Sequence, residues 1–187
     1  MHNPTGVSDL QLVNKCQQGD TASFRQLYRR YQQRVRSTLF QLCGKDSLDD
    51  LVQEVFLRVW KGLPKLRQAS YFSTWLYRIT WNVATDGRRQ YARRPPTEDD
   101  DSSLRNTEAR PQDIPNLMQL HYQDLVQRGL LSLKLEHRVV LVLHDLEDVP
   151  QKEVAKILGL PIGTVKSRLF YARQAIRVFL QEQGVEQ

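Results

Sequence analysis

The chain has 187 residues, of which 40% are hydrophobic and 26% are charged, a composition typical of a globular protein and not of a disordered one. This length allows one large domain or two small ones. The formal net charge is +6 at pH 7, and a basic excess favours nucleic acid as a partner through counterion release.

The charge is distributed unevenly along the chain. Residues 1–94 hold 16 Lys or Arg and 7 Asp or Glu, residues 95–118 hold 2 and 6, and residues 119–187 hold 9 and 8. These counts predict a basic domain, an acidic proline-containing linker and a near-neutral domain. The longest apolar run is far too short to span a bilayer and no signal peptide opens the chain, so we expect a cytoplasmic protein with no direct membrane insertion.

Helical patterns fill almost all of the chain outside the linker, and strand patterns are absent, which predicts an all-α fold. Ser8 and Asp20 are good N-caps, and Pro64 ends a third helical pattern. The predicted helices of the first domain run from Ser8 to Gly19, from Asp20 through Leu42, from Ser47 to Pro64 and from Phe72 to Gln90. Helices resume near Asn116 and continue through Leu146.

The third predicted helix carries a polar face with one apolar residue in it. Acids in the first turn are favoured by the helix dipole alone, which accounts for Asp49 and Asp50. Leu57 is less easily explained by solvation, and an apolar side chain among acids and amides favours a docking face. The candidate docking residues are Asp49, Asp50, Gln53, Glu54 and Leu57.

The fourth predicted helix places rings and arginines on the face opposite its apolar stripe. This face holds Tyr77, Trp81, Thr85, Arg88 and Arg89. Rings between arginines suit unstacked bases beside a phosphate backbone. The alternative is that Trp81 packs under a loop or against another helix, and Asn82 nearby either reads a base edge or is simply solvated.

The last third of the chain has the spacing of a helix-turn-helix. The first helix is predicted from Gln151 to Leu158, Gly159 suits a left-handed turn, and Thr164 is placed to help cap the second helix. The outer face of the second helix presents donors, cations and rings suited to phosphates and base edges, although such a face is often only solvated. Its residues are Lys166, Ser167, Phe170, Tyr171, Arg173 and Gln174.

No catalytic arrangement, metal-ligand spacing or cofactor motif occurs in the sequence, so we expect no enzymatic activity, no cofactor and no small-molecule substrate. Cys16 and Cys43 lie within helical patterns and are interpreted as buried or half-buried thiols in a reducing compartment.

Three segments together resemble bacterial sigma factors: DDLVQEVFLRVWKGL at 49–63, FSTWLYRITWNVATDGRR at 72–89 and GTVKSRLFYARQAI at 163–176. The two-domain length is similar to the extracytoplasmic-function (ECF) subgroup. The resemblance implies sigma region 2 in residues 1–94, a linker in 95–118 that threads toward the RNA exit path of polymerase, and region 4 in residues 119–187.

The resemblance also implies partners for each surface. Region 2 would dock on the clamp helices of the RNA polymerase β′ subunit and hold the unpaired −10 strand, and region 4 would contact the β flap and read the −35 element. An anti-sigma factor is a further implied partner. The matching −10 positions are Arg67, Ser73, Tyr77, Arg78, Trp81, Asn82, Arg88 and Arg89, and the matching −35 positions are Thr164, Lys166, Ser167, Arg168, Phe170, Tyr171 and Arg173.

Two other functions remain open. The GTVKSRL helix also resembles the DNA-binding domain of LuxR-type regulators, which act without being a polymerase subunit, but that reading leaves the docking face unexplained. A sigma-like protein that binds polymerase without starting transcription is the other alternative.

Overall fold

The computed structural model describes residues 7–91 and 117–185, with side chains described for 7–87 and 122–185. All regular structure in these two ranges is helical, as predicted. The predicted linker falls mainly outside them. The helices are α1 (Asp9–Gln17), α2 (Thr21–Cys43), α3 (Leu48–Gly62), α4 (Phe72–Tyr91), α5 (Leu117–Ser132), α6 (Leu135–Leu141), α7 (Gln151–Leu158) and α8 (Ile162–Glu182).

The first module comprises α1 to α4, and its first two helices begin at the predicted caps. Ser8 and Gln11 form a reciprocal capping box at the start of α1, with the Gln11 Oε1 atom accepting from the Ser8 amide at 3.0 Å. The Asp20 carboxylate accepts from the Ala22 amide at 2.8 Å and caps α2. Both predicted helix starts are therefore confirmed.

The core of the first module follows the predicted apolar stripes. Leu39 of α2, Val55 of α3 and Leu76 of α4 are fully buried, and Phe72 packs edge-on against Tyr31 with ring centroids 5.4 Å apart. Because each helix contributes one apolar face, the opposite faces of α3 and α4 remain available for other contacts.

The second module comprises α5 to α8, with a π turn (Val142–Leu146) between α6 and α7. Helix α7 has the predicted bounds, and Gly159 ends it with a φ of +66°. Val165 and Leu169 of α8 are buried in the core of the helix-turn-helix.

The prediction that Thr164 caps α8 is wrong. Helix α8 begins at Ile162, so the N-cap position belongs to Pro161, and no side-chain hydrogen bond is made there. Thr164 instead lies in the first turn of the helix. The helix starts there because the Pro161 carbonyl accepts the first helical hydrogen bonds, from the amides of Thr164 at 3.0 Å and Val165 at 3.2 Å.

The two modules pack against each other, and the buried apolar residues form one continuous cluster through both. Helix α7 lies against α4, and α5 lies against α2. The sequence predicts the two modules correctly but does not predict this packing. In the described ranges no helix is both long and apolar enough to cross a membrane.

Gly159→Ala tests the left-handed turn of the helix-turn-helix. A Cβ at this position meets no atom within 4 Å, so the positive φ alone disfavours alanine, by about 1–2 kcal/mol. Gly163 is equally uncrowded but lies inside α8, where alanine is favoured over glycine by about 0.5–1 kcal/mol.

We therefore expect Gly159→Ala to lower the free energy of unfolding and Gly163→Ala not to lower it, measured by urea unfolding followed by circular dichroism. Destabilisation of the same size in both variants would contradict this account of the turn.

Candidate functional site

The polar face of α3 is open to solvent along most of its length. Asp50 and Gln53 are exposed, and Leu57 between the polar groups retains 44% of its surface. Asp49 is also exposed and pairs with Arg36 of α2. Trp60, one turn after Leu57, is exposed too. Sequence reasoning missed this ring, although its spacing of three residues from Leu57 places both on one face.

Glu54 differs from the other acids on this face because it is half-buried. Its carboxylate accepts from Arg58 Nε at 2.7 Å, and Arg58 also donates to Asp86 of α4 at 2.9 Å. These two carboxylates raise the pKa of the Arg58 guanidinium above its usual value, Asp86 contributing more. This bridge between α3 and α4 therefore fixes the position of the Glu54 carboxylate.

The predicted solvent face of α4 is largely covered. Tyr77 retains only 7% of its surface, contrary to the expectation that it lies exposed opposite the core, because the second module lies across it. Trp81 is half-buried and packs against the core cluster, as the alternative interpretation held. Asn82 is exposed, and so are Ser73 in the first turn of α4 and Arg67 in the segment before the helix. The side chains of Arg88 and Arg89 lie outside the described residues.

A carboxylate of the second module accepts a hydrogen bond from Tyr77. The Tyr77 hydroxyl donates to Glu147 Oε2 at 3.0 Å, and Arg34 Nε of α2 lies 3.8 Å from the same oxygen. The Glu147 side chain is only 7% exposed. Burial and the nearby carboxylate raise the pKa of the Tyr77 phenol well above its usual value, so the hydroxyl remains a donor at neutral pH.

Arg78 of α4 contacts the end of α7. Its Nε donates to the carbonyl of Ile157 at 3.2 Å, and its Nη2 donates to the carbonyl of Lys156. These carbonyls belong to the C-terminal turn of α7, where a cation is favoured by the helix dipole. Thr74, one turn earlier on α4, donates to Glu153 at 3.2 Å. Four acceptors of the second module therefore lie against α4: the side chains of Glu147 and Glu153 and the carbonyls of Lys156 and Ile157.

The outer face of α8 is the most exposed aromatic surface among the described residues. Phe170 and Tyr171 retain 58% and 59% of their surface, with the two rings edge-on 5.5 Å apart. Lys166 and Ser167 are exposed, whereas Thr164 and Arg168 are half-buried. The Ser167 hydroxyl donates to the Thr164 carbonyl of its own helix at 3.0 Å.

Two residues from outside α8 orient this face, and sequence reasoning assigned a role to neither. Asp145 accepts two hydrogen bonds from Arg173, at 2.8 Å from Nε and 2.6 Å from Nη2. The ring of His137 stacks on Tyr171 with an interplanar angle of 16°. A bidentate pair and a stacked ring both restrict rotamers, so α8 presents Arg173 and Tyr171 in defined orientations.

Within the described residues, no group of three or more His, Cys, Asp or Glu side chains is arranged to hold a metal ion. Cys16 is buried, which raises the pKa of its thiol, and Cys43 is half-buried. Both positions agree with their interpretation as thiols within helices.

Family models match both modules. The model for Sigma-70 region 2 matches residues 27–94, and the model for Sigma-70, region 4 matches residues 123–176. The chain is 32% identical to the ECF RNA polymerase sigma-E factor of Haemophilus influenzae, over 94% of this chain and 96% of that protein. It is 34% identical to the ECF RNA polymerase sigma-E factor of Escherichia coli K12, over 91% of this chain and 93% of that protein.

Two solved structures share the fold. CnrH, solved in complex with the cytosolic domain of CnrY, has a TM-score of 0.71 and 23% identity, covering 93% of this chain and 97% of that one. The sigma factor RpoE, solved in complex with the anti-sigma factor NepR from Bartonella quintana, has a TM-score of 0.67 and 25% identity, covering 84% of this chain and 96% of that one.

Proposed function

The chain belongs to the extracytoplasmic-function group of bacterial sigma factors, and on that premise we propose which step of transcription initiation each of its surfaces serves. A sigma factor binds core RNA polymerase and directs it to promoters. The observation that carries the proposal is the presence, on one chain, of an exposed acidic and apolar face on α3 and an exposed basic and aromatic face on α8.

We propose that α3 docks on the clamp helices of the β′ subunit. Exposed Leu57 supplies an apolar centre, and the surrounding carboxylates of Asp50 and Glu54 supply charge for a basic partner. Interfaces commonly combine an apolar core with a polar rim in this way. Trp60 extends the apolar part and is a further candidate for the same contact.

We infer that the −10 strand is held by α4 and the loop before it after the duplex has opened. Trp81 and Tyr77 supply rings for stacking, and Arg78 supplies a cation for the backbone. Asn82, Arg67 and Ser73 are exposed beside them, and Arg88 and Arg89 belong to the same proposed site through the family resemblance.

For the −35 element we propose that α8 enters the major groove. Lys166 near its N-terminal end and Phe170 one turn later lie where side chains reach base edges. Arg173, a further turn along, is assigned to a backbone phosphate. Thr164, Ser167, Arg168 and Tyr171 complete the proposed −35 surface.

The remaining roles are also proposals. Region 4 contacts the β flap of polymerase, and the acidic segment 95–118 runs toward the RNA exit path. An anti-sigma factor is proposed as a regulator because RpoE of Bartonella quintana was solved with one. The protein acts in the cytoplasm, where polymerase works, as a subunit without catalytic activity of its own.

The proposed function is tested by adding the protein to core RNA polymerase on genomic DNA and sequencing the 5′ ends of the transcripts. We expect start sites that share two upstream elements and are absent with core enzyme alone. Binding to core without new start sites would instead indicate a sigma-like protein that does not initiate. Tight duplex binding without polymerase would favour a stand-alone LuxR-like regulator.

Reversing the charge of Asp50 and Glu54 together should weaken binding to core polymerase by roughly ten-fold or more, because complementary charges at an interface contribute about 1.5 kcal/mol or more per close pair. The reversal is Asp50→Lys with Glu54→Lys. Both acids lie off the apolar stripe, and although Glu54→Lys breaks the ion pair with Arg58, Arg58 keeps its bond to Asp86, so the fold should survive. The measurement is co-purification with core enzyme, with circular dichroism as the check on folding.

The matched control is Asp124→Lys with Glu182→Lys, which changes the net charge equally at two exposed positions of the second module, on α5 and α8. Equal loss of binding in both double variants would mean that net charge, and not this face, governs docking.

At the −35 element, Lys166→Ala and Phe170→Ala should change which promoter sequences are used, since a lost base contact costs about 1–3 kcal/mol at one position. Arg173→Ala should weaken all promoters alike and reduce the salt dependence by about one phosphate. A randomised −35 library transcribed with each variant measures both effects. If Arg173→Ala shifts sequence preference while Lys166→Ala only scales activity, the docking register assigned to α8 is wrong.

A further inference from the structure

The α3–α4 segment (residues 63–71) is built from two short 3₁₀ turns, Leu63–Lys65 and Ala69–Tyr71. Residues 66–68 between the turns have no regular structure, and Arg67 among them is exposed. Leu63 at one end of the segment and Phe72 just beyond the other end are buried. Backbone carbonyls outside regular helices need partners from elsewhere, so the course of residues 66–68 depends on donors that other elements supply.

Gln17, the last residue of α1, supplies such a donor. Its Nε2 atom donates to the Leu63 carbonyl at 3.1 Å and to the Leu66 carbonyl at 2.8 Å. A side-chain amide carries two N–H groups, so it can serve both acceptors. The two carbonyls belong to the first residue and to the C-terminal cap of the first 3₁₀ turn. One side chain of α1 therefore joins the two ends of this turn.

The bond to Leu66 also bears on Arg67. The Leu66 carbonyl and the Arg67 amide belong to one planar peptide unit, so fixing the carbonyl fixes the direction in which the chain enters Arg67. Helix α1 packs against both 3₁₀ turns, and Leu12 and Val13 hold it in the core. The donor is thus attached to a rigid element, whereas the residue that it orients lies in an irregular one.

We propose that Gln17 is a positioning residue for the −10 strand, holding the α3–α4 segment so that Arg67 is presented to the strand in one orientation. This inference rests on the proposed function of Arg67 and the α4 face. Gln17 acts through the segment and is not itself a contact to the strand. Without its two bonds residues 66–68 take several conformations, and a binding site whose supporting hydrogen bonds are lost discriminates less between bases.

Gln17→Glu tests the proposal with little change in shape, because an ionised carboxylate accepts hydrogen bonds but cannot donate them. The matched control is Gln18→Glu, which introduces the same charge at the next residue. Gln18 is also exposed, and in the described part of the chain its side chain donates to neither Leu63 nor Leu66. Gln17→Ala and Gln18→Ala repeat the comparison without a change of charge.

Two measurements are made on each full-length variant. With core polymerase, a promoter library that is randomised in the −10 element and fixed in the −35 element gives the sequence preference. Without polymerase, hydrogen–deuterium exchange of residues 63–71 reports the mobility of the α3–α4 segment, and exchange of α3 and α8 checks the fold. We expect both Gln17 variants to favour the preferred −10 base at least about three-fold less strongly than their Gln18 controls, and to exchange faster only in the segment.

Equal −10 preference in the Gln17 and Gln18 variants overturns the proposal. Faster exchange of the α3–α4 segment with an unchanged −10 preference also overturns it, because Gln17 then serves the fold alone. Failure of the proposed function gives a different result: the wild-type protein itself then selects no −10 sequence from the library, and the inference fails with it.

Discussion

The arrangement of the two modules depends on where the C-terminal carbonyls of two helices find their donors. The last carbonyls of any helix lack partners within it and must be satisfied from outside. At the end of α2, Arg138 of the second module donates to the Leu42 carbonyl, and Gln127 adds a bond to the Phe40 carbonyl, which also accepts from the Gly44 amide. At the end of α7 the donor is Arg78 of the first module. Each module therefore completes a helix end of the other, and the continuous apolar cluster forms between these two polar contacts.

In this arrangement the three proposed surfaces differ in their exposure to solvent. The α3 face and the outer face of α8 are open, because neither lies between the modules. The α4 face lies between them and is covered. Of the three, only the α4 face is covered by a contact within the chain itself, through Tyr77 and Glu147.

Much of the fold could be predicted from the sequence because the signals are local. The caps at Ser8 and Asp20 and the turn at Gly159 each act within one helical turn, and the exposed α3 face follows from helical periodicity. The cover over Tyr77 could not be predicted in this way. It comes from Glu147, 70 residues further along the chain, and no periodicity within α4 carries that information. Roles for Asp145 and His137 in orienting α8 were missed for the same reason.

The π turn after α6 contains one residue more than an α-helical turn and leads into the segment that carries Glu147. In this turn the Glu147 amide bonds the carbonyl of Val142, five residues back, at 3.0 Å. One residue more than an α-helical turn is thus accommodated, and each residue of a helix advances the side-chain direction by about 100°. Because the π turn absorbs one extra residue, deleting a residue here would let the Glu147 amide and the Val142 carbonyl close an ordinary α-helical turn, and Glu147 would keep its direction. The spacing between α6 and α7 can therefore shorten by one residue with little change in the contact between Glu147 and Tyr77.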